Sequence, residues 1–101
     1  MNIVDAIGVP AALEQCAEEC DELGHACLKL ARLTRGENPS PASKRETLQK
    51  ISEEAADVLV CINVLAQAGI LSYDSLIETA GSKTYRWEER INEMKNKEKG
   101  E

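Results

Sequence analysis

Residues 43–69 read SKRETLQKISEEAADVLVCINVLAQAG, and the reading of this stretch decides the fold. It opens with Ser43 and Glu46 in the spacing of a capping box, where a serine oxygen and a glutamate carboxylate satisfy orphan amides at a helix start. It closes on Gly69, which can adopt the left-handed backbone that ends a helix. Between these signals Ile51, Ala55, Val58, Ile62 and Leu65 recur at helical spacing, so a helix is expected over 43–68. From Val58 to Ala66 the chain is apolar on nearly every face, as expected of a helix surrounded by protein. Three helices of one chain cannot easily surround it. A homodimer or a dimer of dimers is therefore expected, with this helix at its centre.

One residue breaks the pattern. At about 100° per residue, Glu54 falls inside the apolar stripe of its own helix. Burying a lone carboxylate costs several kcal/mol unless it is paired, protonated or metal-bound, so something must compensate it. Asp57 lies three residues on, which places the two carboxylates side by side.

Upstream, Leu13, Cys16, Ala17, Cys20, Leu23, Gly24, Cys27, Leu30 and Ala31 mark a first long helix, expected over 10–34. Glu19 and Glu22 form a second acidic pair on it, Glu19 at the border of a stripe centred on Cys20 and Glu22 farther round. The stretch from Arg35 to Ala42 contains Gly36, Asn38, Pro39 and Pro41 and is expected to be a loop. Downstream, Ser72 can cap a third helix over 72–95. Its apolar face runs through Tyr73, Leu76, Ile77, Ala80, Thr84, Trp87, Ile91 and Met94, with a bend expected near Gly81, and the polar tail over 96–101 is expected to fray. No internal repeat is visible, and residues 1–101 read as a single all-α domain, an antiparallel helical bundle completed by association of copies.

Composition agrees with that class. Only three aromatic residues occur and no Phe, and the hydrophobic share of 43% is enough for a globular core. The net charge of -6 argues against a sequence-independent binder of nucleic-acid polymers, which needs an excess of Lys and Arg. No apolar run is long enough to span a bilayer, and the start of the chain lacks a basic region followed by an apolar one. A cytoplasmic location is expected, with Cys16, Cys20, Cys27 and Cys61 reduced and in the core rather than in a disulfide framework.

Two carboxylate pairs on neighbouring antiparallel helices present up to eight oxygen atoms. Such a set suits Mg²⁺, or Mn²⁺, better than Zn²⁺ or copper. The residues Glu18-Glu19-x-x-Glu22 and Glu53-Glu54-x-x-Asp57 resemble the signature of the MazG-type all-α NTP pyrophosphohydrolases, over roughly Leu13 to Arg90. The resemblance implies Mg²⁺-dependent hydrolysis of a nucleoside or deoxynucleoside triphosphate to the monophosphate and pyrophosphate. Carried over by position, it implies Glu19, Glu22, Glu54 and Asp57 as metal ligands. It also implies basic residues near the phosphates, for which Lys83 and Arg90 stand in suitable places, while Trp87 occupies the position where many relatives have Asn.

The residue chemistry is compatible with that reaction. Phosphoanhydride hydrolysis needs a cation against the phosphates, a positioned water and cationic side chains where the leaving group gains charge. Lys83, Arg86 and Arg90 can supply the last, Glu22 or Glu54 can act as general base on the water, and Trp87 is placed either to stack on a base or to join the core. A zinc site of cysteines and His25 is set aside because His25 projects away from the thiols. The Glu22-x-x-His25 element of di-iron bundles occurs once where two copies are needed. The competing reading is a non-catalytic helical module whose acidic face and apolar second helix serve assembly or partner binding.

Overall fold

The computed structural model describes residues 1–37 and 43–100. Among them are four helices and no strand: α1 Ile3–Ile7, α2 Val9–Thr34, α3 Lys44–Gln67 and α4 Tyr73–Gly100. The chain divides into two compact units, Met1–Ile70 and Leu71–Glu101. Among the described residues no helix is long and apolar enough to cross a membrane.

Local chemistry sets the helix ends. Ser43 Oγ accepts from the Glu46 amide at 3.1 Å and starts α3. At its other end Gly69 takes φ 79°, its amide donates to the Ala66 carbonyl at 3.0 Å and the Ile70 amide donates to the Leu65 carbonyl at 2.9 Å. These two bonds satisfy carbonyls that the last turn would otherwise leave unpaired. The expected loop over 35–42 begins after Thr34, and its residues 38–42 lie outside those described.

The short helix α1 was not expected. Asn2 Oδ1 accepts from the Asp5 amide at 3.4 Å to cap it, and Gly8, at φ 89°, ends it before α2 opens with Val9 and Pro10. One and a half turns are too few for a periodic signal. Val4 is its buried residue, and α1 packs against both α2 and α3.

Helices α2 and α3 run antiparallel, because Glu19 lies against Glu54 and Asp57 while the earlier Cys16 meets the later Cys61. Their seam has heptad spacing on both sides. On α3 it runs through Thr47, Ile51, Glu54, Val58, Cys61, Leu65 and Ala68, each buried or half-buried. On α2 it runs through Ala12, Cys16, Glu19, Leu23, Ala26, Leu30 and Leu33, again all buried or half-buried. Steps of four and three residues keep one narrow line of each helix facing the other.

This seam corrects the sequence expectation for α2. The stripe was centred on Cys20, but Leu13, Ala17, Cys20, Gly24 and Cys27 are exposed, and the buried line lies one residue behind them. Cys20 and Cys27 are therefore not core thiols of this unit, whereas Cys61 is buried and Cys16 half-buried. The arc of apolar residues on α2 is wider than one partner helix can cover. On α3, Ala55 is likewise exposed, and Leu59 and Val60 are each 55% exposed.

The second unit is the helix α4. Ser72 Oγ accepts from the Ser75 amide at 3.5 Å at its start. It continues through Gly81 and through the expected frayed tail as far as Gly100, with Glu101 outside the described residues. Every residue of α4 that is described is exposed, including Tyr73, Leu76, Ile77, Trp87, Ile91 and Met94 of its apolar face.

Candidate metal centre

Glu19 from α2 and Glu54 and Asp57 from α3 each present a carboxylate oxygen, and these oxygens lie within 4.8 Å of one another. Heptad packing produces this convergence. Glu19 and Glu54 both occupy seam positions, where side chains of facing helices must meet, and Asp57 stands one turn from Glu54 at the edge of the seam. Glu54 is buried, Glu19 half-buried and Asp57 exposed, so the group opens from the seam to solvent.

The fourth acidic residue of the expected set, Glu22, is exposed and is not among those whose ligand atoms lie within 4.8 Å of one another. Its charge acts instead on Lys50, whose ammonium is held above the usual lysine range, chiefly by the hydrogen bond and charge of Glu54, with smaller contributions from Glu53 and Glu22.

Lys50 was missed by the sequence reading. Its Nζ lies 2.9 Å from Glu54 Oε1, one helical turn back on α3. The spacing was legible as a same-helix charge pair, in the less favourable order with the cation N-terminal to the acid. Glu54 is only 5% exposed, and Lys50 supplies the compensation that its position demands. A metal ion is thus not required merely to hold that one charge. Gln15 Nε2 donates to Glu19 Oε1 at 2.7 Å and fixes that side chain from the same helix. Asp57 forms no ion pair among the described residues.

Three carboxylates within reach of one point make a hard, all-oxygen donor set, of the kind that suits Mg²⁺ or Mn²⁺. The group carries more negative charge than Lys50 neutralises, and the Lys50 ammonium beside Glu54 marks the place as one where a cation is favoured. The donor chemistry therefore fits a hard divalent ion.

Cys61 borders the group. Burial first, then the charges of Glu19, Cys20 and Asp57, push its thiol up, against a hydrogen bond with Cys16 that lowers it. The thiol accordingly stays protonated at neutral pH and is a neutral packing residue beside the carboxylates.

On α4, Lys83, Arg86, Trp87 and Arg90 line one shallow groove. The spacing of 83, 86, 87 and 90 puts them on a single face of the helix. Trp87 is 69% exposed, so it is not a core residue of its unit. Comparison with family models, with curated proteins and with solved structures gave no match.

Proposed function

We propose that this chain is a Mg²⁺-dependent nucleoside triphosphate pyrophosphohydrolase of the MazG-like type, acting on a nucleoside or deoxynucleoside triphosphate. The observation that carries the reading is the meeting of Glu19, Glu54 and Asp57 across the α2–α3 seam with ligand atoms within 4.8 Å. An antiparallel coiled-coil seam normally fills such positions with apolar residues. Two glutamates there, with an aspartate beside them, need a use that outweighs the packing they forgo.

In this reading Glu19, Glu54 and Asp57 hold the metal. A divalent ion held by these three residues would supply the charge that offsets the phosphates and polarises the phosphoanhydride. Gln15 keeps the Glu19 carboxylate oriented. Glu22, exposed and outside the group of three, is the better general base than Glu54, because its carboxylate is not committed to the seam and can orient the attacking water. Taken by itself, α4 carries Lys83, Arg86 and Arg90 on one face, cations of the kind a triphosphate takes, with the exposed Trp87 offering a ring face of the kind a base takes.

Association of copies belongs to the same reading. Within the Met1–Ile70 unit Leu59 and Val60 of α3 and the second apolar line of α2, from Leu13 to Cys27, are unburied, which is compatible with a dimer or dimer of dimers.

One observation favours a different class. The Lys50–Glu54 pair satisfies the buried carboxylate without a metal, as suits a non-catalytic helical module that assembles through its apolar faces. A panel of nucleoside and deoxynucleoside triphosphates, assayed for pyrophosphate release with Mg²⁺ or Mn²⁺, separates the two. Turnover abolished by Asp57→Asn with unchanged helicity is the expected result. No turnover across the panel, together with no metal binding by calorimetry, leaves the assembly module.

A further inference from the structure

Lys50 is the one positive side chain that pairs with a carboxylate of the three-residue group among the described residues. Its two ends behave differently. The ammonium lies 2.9 Å from the buried Glu54 Oε1, while the Lys50 side chain as a whole is 60% exposed. It can therefore swing away from Glu54 without opening a cavity in the seam. The flexible lysine stem makes such a movement easy, and Glu53 and Glu22 stand near enough to act electrostatically on the departing charge. Of the other two carboxylates, Glu19 is held by the neutral amide of Gln15, and Asp57 pairs with no cation among the described residues.

We propose that Lys50 is a built-in counter-cation of the acidic centre, which neutralises Glu54 in the metal-free protein and opposes the binding of a divalent ion by charge. The metal affinity of the centre is then set by Lys50 as much as by its ligands, and occupation of the centre displaces the ammonium from Glu54. Lys50 is thus a positioning residue that keeps the seam glutamate ordered until a metal takes its place. This inference rests on the reading of Glu19, Glu54 and Asp57 as metal ligands.

The test uses the full chain as wild type, Lys50→Met, which keeps most of the stem and removes the charge, and Lys50→Arg, which keeps the charge. Lys50→Gln replaces the methionine variant if that one aggregates. Mn²⁺ and Mg²⁺ binding are measured by calorimetry, and melting temperature is measured with and without metal. Removing a unit charge a few ångströms from a divalent ion in a largely solvated setting should tighten binding about three- to tenfold. The expected pattern is tighter metal binding by Lys50→Met, a lower metal-free melting temperature, a larger rise in melting temperature on adding metal, and near-wild-type affinity for Lys50→Arg. Wild type that binds metal while Lys50→Met binds it equally or more weakly overturns the role of Lys50 and leaves the metal reading intact. Absence of binding by every variant overturns the metal reading and the proposal together.

Discussion

Glu19 and Glu54 face each other at seam positions of two antiparallel helices, and with Asp57 their carboxylate oxygens fall within 4.8 Å. Positions that packing alone would give to Leu or Ile are held by like charges. The measurable consequences differ between the buried and the exposed members of the group.

Glu54→Gln keeps the volume of the seam and removes a charge that repels Glu19 and Asp57. Loss of the Lys50 pair offsets this gain, so metal-free stability should change by no more than about 1 kcal/mol. On the proposed metal reading, Mg²⁺ should raise the melting temperature of wild type and should not raise that of this variant. Differential scanning calorimetry with and without Mg²⁺ checks both.

Asp57→Asn gives a cleaner separation, because Asp57 is exposed and forms no ion pair among the described residues. Its effect on metal-free stability should stay within about 0.5 kcal/mol. Metal binding by titration calorimetry should nonetheless weaken sharply. A large loss of stability without metal would instead assign Asp57 to the fold.

Leu65 and Leu59 test which apolar face is covered. Leu65 is 6% exposed in the seam, and Leu65→Ala should cost about 2–4 kcal/mol in denaturant unfolding. Leu59 is 55% exposed in the α2–α3 unit, and where nothing covers it Leu59→Ala should cost less than about 1 kcal/mol. In a homo-oligomer that buries Leu59 the cost should be larger and should depend on protein concentration.

Gly69→Ala isolates backbone strain. At φ 79° an added Cβ meets no atom within 4 Å, so the cost comes from the backbone conformation alone. A destabilisation of about 1–2 kcal/mol is expected in urea unfolding, with helical content unchanged.

Cys61 gives a pH dependence of definite sign. Burial foremost raises its thiol above the ordinary value of 9.0, so the folded state prefers the protonated form more strongly than the unfolded state does. The resulting stabilisation is fully present below pH 9.0, and it is lost as pH rises from there through the folded-state value. Unfolding free energy followed on the alkaline side of pH 9.0 should fall less steeply in Cys61→Ala than in wild type.

Much of the fold was legible because its signals are local. The Ser43 cap and the Gly69 terminus were readable from side-chain chemistry within a few residues, and the three long helices from their periodicity. The acidic residues were legible for the same reason, as was the anomaly of Glu54 inside an apolar stripe. Helix α1 escaped because five residues carry no period, and the polar tail of α4 escaped because Lys and Glu are good helix formers even without an apolar face to bury.

The sequence by itself therefore determined that the chain is helical, where its long helices begin, where the first two of them end, and which carboxylates stand one turn apart on each. The tertiary structure decided which line of each helix became the seam. An apolar arc wider than one neighbour can cover leaves several lines eligible, and only the packed pair of α2 and α3 selects Glu19 and leaves Cys20 exposed. That choice brought Glu19, Glu54 and Asp57 together, left Glu22 outside, and gave the buried Glu54 to Lys50, because a carboxylate removed from water takes the nearest cation that can reach it.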